Sequence, residues 1–436
     1  MSQDETDQHP GANGQDIAEE EQDAPNTPEQ DVPMQTEETD ADAECSPVAE
    51  AHFFKDAACI EVARCSWDRP VRQNYLQGCR WSPDGTCVLT AVNNDGMHIV
   101  ELPTDLYGKE SVPEERPVDL LTSAVHVKEG GLVYDYAWYP GMNSGRPETC
   151  CWIASRQHEP IQLWDAFTGG LRCSYKGYDQ FDEVEAALSL AFAPADGATI
   201  YGGYKKSIKC FDINVPGRET GSWRTKSTAS CMAIASSMPD TILFGSWNRS
   251  ISALDVRSGE CLPVGNYAPE NSHTAGVTWI GFAPDTEERF VTGARKDPKV
   301  LFWDVRKLTQ PVQTLVRTCG TNQRIHLAFS PGGRWLISGD TRGILHAWNL
   351  HETDEAGRPK ELLFPLHWDC LNGVSFHPHG PIMATASGQY HFPHSAANLD
   401  ADDGEPNPDE PAAKEPAKVE NSLTLWWIGK GVFSEE

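Results

Sequence analysis

Three short β-type runs follow one another in residues 276–306, GVTWIGFAPDTEERFVTGARKDPKVLFWDVR. VTWIGFAP alternates apolar and polar residues, ERFVTGA follows a charged turn, and KVLFWDV ends in Trp303-Asp304 before a polar break. Alternation with a period of two is the mark of a half-buried strand, so the stretch reads strand, turn, strand, turn, strand. Such a unit has two faces to cover and cannot cover them alone. The pattern must therefore recur along the chain.

It does recur. The turn after each first strand carries a proline, at Pro83, Pro140, Pro194, Pro239, Pro284, Pro331 and Pro378, with steps of 57, 54, 45, 45, 47 and 47 residues. A WD-like third strand follows in most units: LWDAF at 163–167, CFDIN at 210–214, ALDVR at 253–257, LFWDVR at 301–306 and HAWNL at 346–350. A period of about 40–45 residues with this ending is one four-stranded propeller blade. The expected fold is all-β, a seven-bladed WD-repeat β-propeller over residues 52–433. The apolar run at 52–67 is expected to complete the last blade by pairing with LTLWWIGKGVF at 423–433, which would leave the ring without open edges.

Charge is unevenly placed. Of the formal −29, residues 1–50 contribute −16 and residues 391–422 contribute −6, so the remaining body carries −7. Residues 1–51 lack the apolar side chains needed to offset ordering entropy and are expected to be a disordered acidic tail. Residues 391–422 are expected to be a disordered acidic insertion in the last blade, tolerable because closure entropy grows slowly with loop length. No secretory signal and no membrane span are expected. The 13 cysteines form no CxxC pair, and Cys150 and Cys151 are adjacent, so free thiols are expected rather than a metal site.

Catalysis finds no support in the motifs: GxSxG, HExxH and phosphate-binding Gly loops do not occur. HFPH at 391–394 reads as a surface loop, since no third ligand stands at fixed spacing. The chain is expected to be a non-enzyme without cofactor. The second turns are more informative. In a propeller they open on the same face as the loops entering each blade, and five of them carry cations: Arg156, Lys205 and Lys206, Arg249, Arg295 and Lys296, and Arg342. Trp138, Tyr139, Tyr204 and Trp247 are placed beside these turns or at first-strand ends. Cations for phosphates and flat side chains for unpaired bases are what single-stranded RNA requires. Asn322 and Gln323 have both donors and acceptors for base edges. The same turns would equally suit an acidic protein partner, and a general WD-repeat protein-interaction scaffold is the alternative.

QNYLQGCRWSPDGTCVLT (73–90), YDYAWYP (134–140), PIQLWDAFTGGLR (160–172), TGARKDPKVLFWDVR (292–306), TNQRI (321–325), NGVSFHP (372–378) and MATASGQ (383–389) together resemble the telomerase Cajal body protein family, in order over roughly 70–430. The resemblance implies a nuclear RNA-binding protein of Cajal bodies. It would bind the CAB box of H/ACA small Cajal body RNAs and of vertebrate telomerase RNA, work with H/ACA ribonucleoprotein proteins and the telomerase holoenzyme, and need the cytosolic chaperonin to fold. A monomer is expected. The family-like motif positions that coincide with the cationic rim are Arg295, Lys296 and Arg324; we expect these to contact phosphates, with Gln323 and Asn322 at base edges and Trp138 or Tyr139 stacking.

Overall fold

The computed structural model describes residues 50, 52–54, 58–67, 73–113, 115–128, 131–194, 197–265, 268, 271–391 and 419–432. Most of the acidic tail and of the acidic insertion lies outside these residues. The described residues form seven blade sheets, each built outward from its first strand. These inner strands are Leu76–Trp81, Val133–Trp138, Ser189–Phe192, Ala229–Ala235, Val277–Phe282, Leu327–Phe329 and Leu371–Phe376. Each opens one blade, numbered 1 to 7 in that order. The blades are antiparallel apart from two-residue parallel pairings in blades 2 and 7, and Val112–Pro113 forms a small parallel sheet with Gly431–Val432.

Blade 7 takes its outermost full strand from the other end of the chain. Ile60–Ser66 lies antiparallel to Ser422–Trp427, with Ala63 opposite Leu425 and Ser66 opposite Ser422. The seam between blades 7 and 1 is sewn by Asn372. Its Oδ1 accepts from the Gly78 N–H at 2.9 Å, and its Nδ2 donates to the carbonyls of Leu76 at 2.8 Å and Gly388 at 2.7 Å.

The core is distributed around the ring, between neighbouring blades. Val62, Leu76, Leu423 and Trp427 fill the gap from blade 7 to blade 1, and Leu89, Met97, Trp152 and Trp164 the next. Phe290 and Trp303 of blade 5 pack with Leu243 of blade 4. Each aromatic of this kind removes about 150–250 Å² from water, which is the main term holding blade to blade.

Polar tetrads brace the blades near one end. In blade 5 the Thr292 hydroxyl meets His273 Nε2 at 2.9 Å and accepts from Trp303 Nε1 at 3.0 Å, while His273 Nδ1 meets Asp297 at 2.9 Å. Blade 7 repeats this with His367, Thr385, Trp426 and Glu420, at 2.7–2.8 Å. Glu420 falls within the span expected to be a disordered insertion, yet it is buried. Partners from two strands and a loop hold it there. Burial opposes its ionisation, but the His367 hydrogen bond, the Trp368 N–H and Ser422 outweigh this and bring its pKa down to about 2.

The expected tail boundary is also corrected. Glu50 is 1% exposed, its carboxylate accepting from Ser330 Oγ at 2.8 Å and from the Gly332 N–H, while its carbonyl accepts from Trp335 Nε1 at 3.2 Å. Phe53 and Phe54 follow it into the core between blades 6 and 7.

Candidate nucleic-acid interface

Strand register decides which side chains can meet. In blade 2 Val133 lies opposite Arg156, at the end where second turns and entry loops open, whereas Trp138 lies opposite Trp152 at the other end. Six residues of strand separate the two faces by about 20 Å. Trp138 and Tyr139, expected beside the cations, therefore stand on the opposite face. Trp138 is 6% exposed and donates Nε1–H to the Arg80 carbonyl at 3.0 Å, and Tyr139 packs edge-on against Phe192 at 5.9 Å. Both are structural side chains.

The cations divide in the same way. Arg156 is buried, stacked over Trp164 at 5.9 Å and donating to Gln162 Oε1, so it does not join the rim as expected. Lys205, Lys206, Arg249, Lys296 and Arg342 are exposed on the second turns of blades 3 to 6. Arg249 and Lys296 take left-handed backbone at φ 73° and 48°, which turns the chain sharply there. Arg295 is half-buried with its guanidinium 5.5 Å from the ring of Trp247, itself 48% exposed. This pair is a ready stacking platform with a positive charge on one side.

Arg324 reaches the mouth but is held by the channel wall. Its Nη1 meets Asp135 Oδ1 at 2.9 Å and its Nη2 donates to the Ser230 carbonyl at 3.0 Å, tying blade 6 to blades 2 and 4. Asp135 is buried and also accepts from Arg80 at 3.4 Å and from the Leu190 N–H at 2.9 Å. One carboxylate faces two guanidinium groups, so the channel keeps a surplus positive charge.

Above this network lies a cavity of about 650 Å³. Lys296, Asn322, Gln323 and Arg324 line it together with Tyr75, Gln77, Tyr134, Gln389, Tyr390 and His391. Gln323 spends its amide N–H on the Leu76 carbonyl at 3.1 Å and the Gly388 carbonyl at 3.4 Å, whereas Asn322 is exposed. Lys205 and Lys206 line a separate basin of about 780 Å³ that also holds Asp179, Glu183 and Glu185 and shares Tyr134 with the first. The cationic rim is thus interrupted by carboxylates at blade 2 to 3.

The tyrosines and Gln389 were missed by sequence reasoning, although QNYLQ, YDYAWYP and MATASGQ lie at or contain them. The signal was position: each stands where a strand meets the upper face. Trp368, 72% exposed in the loop entering blade 7, gave no pattern of its own.

Comparison with known proteins agrees with this architecture. A family model described as WD domain, G-beta repeat matches residues 310–349. That span runs from the outer strand of blade 5 through the third strand of blade 6, so the sequence repeat straddles two blades. The chain is 44% identical over 391 residues to Telomerase Cajal body protein 1 homolog of Drosophila melanogaster, covering 86% of this chain and 70% of that protein. It is 36% identical over 377 residues to Telomerase Cajal body protein 1 of Bos taurus, covering 84% and 67% respectively. Against the Homo sapiens protein of that name it is 37% identical over 366 residues, covering 82% and 64%. Likeness of this extent covers most of the chain, and the chain belongs to the telomerase Cajal body protein family.

Proposed function

We propose that this protein is a non-enzymatic RNA-binding propeller that takes an unpaired loop of the CAB-box type onto its upper face. The observation that carries the reading is the cavity at the channel mouth. It brings Lys296, a surplus guanidinium charge, Tyr75, Tyr134 and Tyr390, the exposed Asn322 and the half-buried Gln389 together from blades far apart in sequence. Phosphates are neutralised at the rim, bases stack on Tyr75, Tyr134 or Tyr390, and Asn322 and Gln389 read base edges. Its RNAs would be H/ACA small Cajal body RNAs and, where the RNA carries the motif, telomerase RNA. Its place would be the nucleus and its Cajal bodies, with H/ACA ribonucleoprotein proteins as neighbours in telomerase maintenance of telomeres. Ring closure between residues 60–66 and 422–427 is the kind of late, long-range pairing that a cytosolic chaperonin would assist.

The test is binding of a CAB-box hairpin to the full chain over a range of salt. Lys296→Glu is expected to weaken binding and to lower the salt slope by about one or more. A hairpin without the motif is expected to bind weakly at every salt. Equal binding of both hairpins, or partners in cell extracts that resist both ribonuclease and Lys296→Glu, would overturn the reading. Partners that resist ribonuclease but are lost in the variant would favour an interaction scaffold on the same face, for which the exposed Trp368 is a suitable anchor.

A further inference from the structure

The second turn of blade 1 differs from those of blades 3 to 6. It carries Asn93, Asn94 and Asp95 and no lysine or arginine. Behind it, His98 on the third strand, Gly96–Glu101, stands directly opposite His126 on the outer strand, Val125–Val127. Their rings stack with centroids 4.1 Å apart and planes 15° from parallel, and Trp67 packs edge-on against His98 at 5.0 Å. Donor atoms of Asp95, His98 and His126 all lie within 4.8 Å of one another.

His98 is the informative member. It is buried, and its Nδ1 lies 2.8 Å from Ser123 Oγ, while its Nε2 makes no hydrogen bond and lies 3.4 Å from Asp95 Oδ2. In the tautomer that donates Nδ1–H to Ser123, Nε2 keeps a lone pair beside the Asp95 carboxylate and is free to bind an ion. A lone pair facing a carboxylate is repulsive, and a bound cation would turn that contact favourable. His126 Nε2 lies 3.8 Å from Asp95 Oδ1 and 2.9 Å from the Asp95 carbonyl.

We propose that Asp95, His98 and His126 form a site for a divalent transition-metal ion of the zinc type. Two imidazoles and one carboxylate are the donor set such an ion takes, with a water in the fourth place. Bonds of about 2.0–2.2 Å in a tetrahedron put donor atoms about 3.3–3.5 Å apart. The spacings from Asp95 to the two rings are already close to that, and the stacked rings must turn apart for both Nε2 atoms to converge on the ion. His126 shifts to its Nδ1–H tautomer and exchanges the Asp95 carbonyl for the ion, and no net proton is released. His126 and Asp95 reach the surface, which gives the ion a way in and keeps the water position open. Ser123 positions His98 through its hydrogen bond and does not touch the ion.

The full chain, stripped with a chelator, is titrated with Co²⁺ and followed by visible absorption. One equivalent is expected to give tetrahedral d–d bands without a near-ultraviolet thiolate-to-cobalt band, which separates this site from the chain's cysteines. Zn²⁺ is expected to displace the signal and to raise Tm. Ser123→Ala is expected to weaken affinity about tenfold to a hundredfold, and His126→Ala by more, with Tm of the stripped protein near that of the parent. Failure to bind one equivalent, a thiolate band, or an unchanged spectrum in His126→Ala would overturn the proposal and leave the rings as a packed pair.

Discussion

Arg324 and Lys296 stand at one mouth, yet their surroundings give them different work. Lys296 is exposed on a turn, so Lys296→Glu is expected to leave Tm within about 1–2 °C while RNA binding falls. Arg324 closes a partly buried pair with Asp135, and Arg324→Glu would place two carboxylates together. A loss of roughly 3–5 kcal/mol is expected by urea unfolding, whatever happens to RNA. Charge reversal at Arg324 is therefore a test of the fold, and Lys296 is the residue that reports on binding. Tyr390→Ala, at an exposed ring on the cavity wall, is expected to cost about 1–3 kcal/mol in hairpin affinity if a base stacks there. His377 adds a pH effect. Its Nε2–H donates to the Gly85 carbonyl at 3.0 Å and its Nδ1 accepts from the His379 N–H at 3.0 Å, so the neutral ring is fully used. Burial first, and nearby His379, bring its pKa down to about 4.

Within a blade, the tetrad converts a strand into a braced element. Thr292 is its hub in blade 5, and Thr292→Val would leave His273 Nε2 and Trp303 Nε1 buried without partners. A cost of about 2–4 kcal/mol in chemical unfolding is expected, because each orphaned group loses its solvation outright. Blade 7 carries the acid-sensitive version. Glu420 has a folded pKa of about 2, depressed from the ordinary glutamate range, so its stabilisation is complete above that range and drains away as pH falls toward 2. Glu420→Gln is expected to lower Tm at neutral pH and to flatten its decline between about pH 5 and pH 2. His377 acts in the same direction from a higher pH. Its folded pKa is below the ordinary histidine value, so stability begins to fall near pH 6.5 and continues to about pH 4.

For the whole molecule, closure is the decisive event. The strand Ile60–Ser66 covers the edge of Ser422–Trp427, and Glu50, Phe53 and Phe54 fill the gap between blades 6 and 7. Phe54→Ala is expected to cost about 3–5 kcal/mol, since its ring sits among Trp335, Phe364 and Phe376. Removing residues up to Trp67 is expected to cause concentration-dependent association by light scattering, because an uncovered strand edge pairs with another.

The sequence by itself determined the blade count, the closing strand and the turns that carry charge. Each of these follows from local patterning: alternation, a proline after the first strand, and a WD-like end to the third. It also held the lysine and arginine positions at the rim. What it could not decide was which face a side chain at a strand end reaches, or which partner waits there. Trp138 and Tyr139 sit only a few residues from Tyr134, yet the strand carries them to the opposite side. Arg156 and Arg324 look like surface cations in one dimension, but Gln162 and Asp135 meet them in the folded ring. Asp95, His98 and His126 come together through strand register across one blade. The Arg324–Asp135 pair spans 189 positions, and only the closed ring brings it within hydrogen-bond reach.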